Sequence, residues 1–125
     1  MDSYQKELVW RDRLAAAETA SKRGEKSRAE LLYKQALALA SLLSEQNHVT
    51  SLIHLADFYA SGQEFHLAEP LFRQAVDIYE RTFGSRNFIG AMCLRSLSEV
   101  LEAQGKSVEA ETVKVKAMEI LGALS

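Results

Sequence analysis

A single cysteine, Cys93, rules out an internal disulfide, so the fold rests on packing alone. It also suits a reducing compartment, and the cytoplasm is the expected location. Proline occurs once, at Pro70, and glycine six times, so little interrupts regular structure. No apolar run approaches the roughly 20 residues needed to cross a bilayer, and the opening MDSYQKELVW has early acids and no apolar core of a signal peptide. No membrane association is expected. Lys and Arg form no cluster and the net charge is −2, which argues against a nucleic-acid partner.

What the chain has in quantity is Ala, Leu, Glu, Ser and Lys, residues that lean toward helix. They are arranged as a repeat. HLAEPLFRQAVDIYE at 66–80 echoes SRAELLYKQALALAS at 27–41 and VEAETVKVKAMEILG at 108–122. Ala29, Ala68 and Ala110 correspond, as do Ala36, Ala75 and Ala117, at offsets of 39 and then 42 residues. Twelve residues before each first alanine stands another small residue, Ala17, Ala56 or Ser98. Leu52, Leu55, Ala56 and Tyr59 fall at i, i+3, i+4, i+7, and so do Leu94, Leu97, Ser98 and Leu101.

Each copy therefore reads as two helices. The turns contain Gly24, Gly62 and Gly105, each suited to the left-handed conformation that ends a helix. Ser27 with Glu30 has the spacing of a capping box, and Ser107 is a second candidate cap. If the fourth helix starts near Phe65 or His66, Pro70 costs little there. The six helices are predicted over 2–23, 27–46, 49–61, 65–83, 87–104 and 107–124. One domain of three repeats, 1–46, 47–84 and 85–125, contains them. A lone pair cannot bury its apolar stripe, and stacking similar pairs can.

Small residues at three fixed points, a glycine at the turn and an aromatic between the last two alanines resemble the tetratricopeptide repeat. Ala17, Gly24, Ala29, Tyr33 and Ala36 fit. Ala56, Ala68, Phe72 and Ala75 fit with Gly62 displaced by one, and the third copy has Lys114 in the aromatic slot. The pitch exceeds the usual ~34 residues, and AEPLFRQAVDIYERTFG at 68–84 looks like the kinesin-light-chain subtype. The resemblance implies an all-α, right-handed solenoid of six antiparallel helices that acts as a non-catalytic adaptor or scaffold for a protein or peptide.

The same resemblance places a partner-binding groove on the first helix of each pair. Its residues are Arg11, Leu14, Ala15, Glu18 and Lys22; Thr50, Ile53, His54, Asp57 and Ser61; and Met92, Arg95, Ser96, Glu99 and Glu102. Some members grip a chaperone's C-terminal carboxylate with Lys, Asn, Asn, Lys and Arg. Leu14, Glu18, His54, Met92 and Ser96 stand there instead, and Glu18 would repel a carboxylate. The paired asparagines with which kinesin-light-chain repeats hold a peptide backbone are replaced by Ile53–His54 and Arg95–Ser96. Asp57, Glu99 and Glu102 favour a ligand with a basic group. Val108, Val115 and Met118 make a second apolar stripe on the last helix, opposite the core face of Ala110, Val113, Ala117, Leu121 and Leu124. That stripe is an end-face candidate for contact with a partner or for homo-oligomer formation.

Chemistry finds little purchase. The GKS at 105–107 lacks the glycine five residues earlier that a phosphate loop needs, since Val100 is there. His48, His54 and His66 never pair at i+3 or i+4, so no metal is expected. Cys93 has no neighbouring base in its helix, and acids such as Glu18 and Asp57 suit solvated helix faces. No cofactor and no enzymatic activity are expected.

Overall fold

Six helices follow one another in the computed structural model, which describes residues 1–124. They are α1 Ser3–Lys22, α2 Lys26–Ala40, α3 Glu45–Ser61, α4 Phe65–Phe83, α5 Phe88–Ala103 and α6 Ser107–Leu124. Ser125 and the side chain of Leu124 lie outside the described residues. No strand occurs among those described. All substantial packing is between chain neighbours: α1 on α2, α3 on α4 and α5 on α6 within pairs, and α2 on α3 and α4 on α5 between pairs. That is the quasi-one-dimensional order of a solenoid.

The nine repeated small residues are why the pairs nest. Ala17, Ala29, Ala36, Ala56, Ala68, Ala75 and Ala117 have no exposure, Ala110 has 3% and Ser98 6%. A side chain no larger than a methyl or hydroxymethyl lets two helices approach closely. Tyr33, Tyr59, Phe72 and Leu101 fill the space beside them and are all buried. Trp10 also turns inward, and its Nε1–H donates to Ser51 Oγ at 2.6 Å, tying α1 to α3.

The turns repeat as faithfully as the helices. The amide of Glu25 donates to the Ala20 carbonyl at 2.9 Å, that of Glu64 to Tyr59 at 2.8 Å and that of Lys106 to Leu101 at 2.9 Å. Each six-residue closure requires a left-handed residue just before its donor. Gly24 (φ 76°) and Gly105 (φ 80°) supply it in two copies. In the second copy it is Gln63, with φ 61°, while Gly62 has φ −87°, so the expectation for Gly62 is corrected. Register places the bend, and the glycine stands one residue too early.

Other local expectations also shift. α2 stops at Ala40, not 46, because Ser44 caps α3 by accepting the Asn47 amide at 3.1 Å, which gives residues 45–48 to α3. Ser27 does not cap α2, since the helix already includes Lys26 and Glu25 stands at the cap without a side-chain bond. Ser107 is the first residue of α6, inside the helix, where the cap was expected. The capping box lies instead at α1. Asp2 accepts from Gln5 N at 2.8 Å, and Gln5 Oε1 accepts from Asp2 N at 3.0 Å. Pro70 falls beyond the first turn of α4, so it leaves the His66 carbonyl without the usual donor, on an exposed side of a helix that continues.

Candidate functional site

The two offsets that align the alanines also align three carboxylates. Glu18, Asp57 and Glu99 each follow the small residue of a pair's first helix, Ala17, Ala56 or Ser98, and so occupy one register on α1, α3 and α5. Stacking turns that register into a row. Their surroundings differ along it.

At the first step, Glu18 pairs with Lys22 at 3.2 Å, both well exposed. Under the gap between Glu18 and Asp57 lies Tyr33 of α2. Its ring stacks on His54 at a centroid distance of 6.5 Å and tilts against Phe58 at 5.2 Å. Burial raises the Tyr33 phenol above its ordinary pKa, and the negative charges of Glu18 and Asp57 add to the rise.

Asp57 is the middle rung. It borders a hollow of about 270 Å³ with Ser61, Phe65, Phe72, Ser96 and Glu99. Asp57 reaches solvent, yet the walls of this hollow thin its hydration. Burial therefore raises its carboxyl pKa, and only His54 pulls it back. No cation bridges Asp57 or Glu99 among the described residues. The hollow thus offers two carboxylates above an apolar wall of Phe65, Phe72 and Val100. That composition matches a long basic side chain, whose stem packs while its head is neutralised.

A second hollow of about 360 Å³ lies between α5 and α6, lined by Arg95, Ser98, Glu99, Glu102, Glu111 and Lys114. Glu99 borders both. Cys93 lies away from both, buried in a cluster with Val49, Leu52, Ala75, Ile78 and Tyr79; burial and then Asp57 push its thiol up to about 12, so it stays a thiol at neutral pH.

The remaining groove residues are scattered in role. Arg11 pairs with Glu7 at 3.3 Å, and Thr50 Oγ1 donates to the Gln46 carbonyl at 2.8 Å. Leu14 and Ile53 pack half-buried against core clusters. Met92 is 37% exposed at the start of α5. On α6, Val108, Val115 and Met118 are all exposed. Met118 shares the register of Leu37 and Val76, which pack half-buried against the core, whereas Val115 shares that of Lys34 and Arg73, which stay at the surface. Of the aromatic floor, Tyr33 with Phe58, Phe65 and Phe72, the sequence marks Tyr33 and Phe72 only as the repeat's aromatic positions and does not mark Phe58 or Phe65 as part of the site. Lys114 was read only as a lapse from the repeat. Among the described residues no group of three or more His, Cys, Asp or Glu side chains is placed to hold a metal ion, and no helix is long and apolar enough to cross a membrane.

Comparison with known proteins agrees with this architecture. The family model of the tetratricopeptide repeat matches residues 48–123, from within the first turn of α3 to the last turn of α6. Among solved structures, the crystal structure of BtubC (BKLC) from P. vanneervenii superposes with a TM-score of 0.75 at 22% identity. The alignment covers 86% of this chain and 44% of that one, so this chain spans less than half its length. That likeness is one of fold. A search of curated proteins found no match. The family generally mediates protein–protein interaction as a non-catalytic scaffold. With six helices in three nested pairs, its small residues buried at the repeat positions and the family model matched over the second and third pairs, the chain belongs to the tetratricopeptide repeat family.

Proposed function

We propose that the chain is a non-catalytic adaptor whose inner face binds a basic segment of a partner protein in the cytoplasm. The observation that carries this is the row of Glu18, Asp57 and Glu99, one acid per inner helix at one register. Asp57 and Glu99 flank an apolar hollow and have no cation of their own. A Lys or Arg side chain entering there meets charge that solvation no longer fully satisfies. Arg11, Lys22 and Arg95 at the same face limit the segment to alternating, not uniform, positive charge. Leu14, Ile53 and Met92 give it apolar footholds.

Titration calorimetry with Lys/Arg-bearing and Asp/Glu-bearing peptides of equal length tests this. Basic peptides are expected to bind, acidic ones not. Asp57→Lys and Glu99→Lys are each expected to weaken binding about tenfold or more, in line with ~1.5–3 kcal/mol for a close charge pair. Equal binding of both peptide classes would remove the proposal.

A second reading has its own observation. Val108, Val115 and Met118 are all exposed on α6, as the end face of a structural or self-assembling module would be.

A further inference from the structure

Among the described residues α1 and α6 each pack substantially on one neighbour only, and their other faces have the registers of a seam that the chain closes twice, α2 on α3 and α4 on α5. A shift of 42 residues lays α6 on α4, so Glu111, Lys114, Met118 and Leu121 take the registers of Glu69, Phe72, Val76 and Tyr79. A shift of 81, the sum of 39 and 42, lays α1 on α5. Val9, Ala15, Glu18 and Arg23 then take the registers of Gly90, Ser96, Glu99 and Gln104.

The α4–α5 seam shows what those registers do. Glu69 Oε1 accepts from Gln104 Nε2 at 2.9 Å. Phe72 shares a hollow with Ser96 and Glu99. A Cβ on Gly90 would lie 3.2 Å from that of Tyr79, so the bulk at this point is shared between the two sides. Transposed to the open ends, Glu111 faces Arg23, Lys114 lies over Ala15 beside Glu18, and Leu121 meets Val9. Two charge pairs of opposite sign and an apolar contact replace a hydrogen bond, an aromatic contact and a Tyr–Gly contact. Among the described residues Glu111, Lys114 and Arg23 have no ion-pair partner within the chain, and Glu18 has only the exposed Lys22. Asp12, Ala15, Thr19 and Arg23 belong to a hollow of about 240 Å³ that α1 shares with Glu25 and Arg28 at the start of α2, and Glu111 and Lys114 belong to the hollow that α6 shares with α5.

We propose that a second copy of this chain docks there head to tail, α6 of one against α1 of the next, continuing the repeat across the junction. The misspelt Lys114 is then the complement of Glu18. In the same register Asp12 replaces Cys93 and Glu25 replaces Lys106, so this seam is more polar than those within the chain and its association is reversible. A head-to-tail contact leaves a free α1 and a free α6, so growth passes beyond the dimer unless a ring closes.

Sedimentation equilibrium of the whole chain, from about 10 µM to about 1 mM, is expected to show a mean mass that climbs with concentration and climbs less in high salt. Lys114→Glu and Glu18→Lys are each expected to stay monomeric, since like charges then meet at every junction. Mixed in equal amounts, the two variants are expected to assemble again, because each junction between unlike chains restores an opposite pair. Far-UV circular dichroism checks that both fold; Glu111→Arg with Arg23→Glu is an independent pair for the same mixing test. A wild type that stays monomeric throughout, assembly indifferent to these reversals, or mixtures that stay apart would each overturn the proposal.

Discussion

Gln63 carries a left-handed backbone that costs an L-residue ~1–2 kcal/mol relative to right-handed forms. Gln63→Gly is therefore expected to stabilise the fold, by up to ~1 kcal/mol after glycine's greater loss of chain entropy, read as a higher denaturation midpoint. Changing Gly62 instead brings no such gain, because its φ is ordinary. Ser51 is a second sensitive point. Its hydroxyl is the acceptor for the buried Trp10 indole, and Ser51→Ala leaves that N–H unpaired at a cost of ~1–3 kcal/mol; chemical denaturation measures it. Sequence pointed to the turn but not to Gln63. What fixes the bend is the backbone bond from Glu64 to Tyr59, and a nearby glycine is not obliged to sit at the bend.

Between elements, one carboxylate does more than its neighbours. Glu69 on α4 accepts from Lys106 at 2.9 Å, Gln104 at 2.9 Å and Arg73 at 2.9 Å, joining α4 to the α5–α6 turn. Lys106 leads in lowering its pKa to about 2, against some opposing burial. A lowered carboxyl adds stability above its unfolded pKa near 4.5 and loses it as pH falls toward 2. After solvent screening the contribution is ~1–2 kcal/mol. Glu69→Gln is expected to be less stable than wild type at pH 7, with the difference shrinking between pH 4.5 and 2 in parallel urea titrations. At this scale the helices were legible because period and small residues agree. The α2–α3 junction was not: Leu42 and Leu43 continue an apolar pattern, and only the Ser44 cap shows where the helix stops. Caps that looked plausible at Ser27 and Ser107 failed because backbone closure of the turn already starts those helices.

Across the whole molecule, the proposed binding face follows from repetition of one register. Three acids become a row because three pairs stack, and a basic peptide bound along that row is expected to lose affinity as salt rises, since its contacts are largely exposed. Asp57→Lys and Glu99→Lys are expected to leave the thermal midpoint nearly unchanged while binding falls, because neither side chain is part of the core. The sequence offers these acids only through the family resemblance, although the offsets of 39 and 42 align them. It does not offer their aromatic floor, because Tyr33 and Phe72 serve the core and the groove at once and sequence marks only the first duty. Trp10, finally, is the only tryptophan, and it is anchored where the first pair meets the second. Its emission is thus a built-in gauge of that junction alone, while circular dichroism averages over all six helices. Melts followed by the two signals coincide if the stack unfolds as one body and part company if the first pair peels away early.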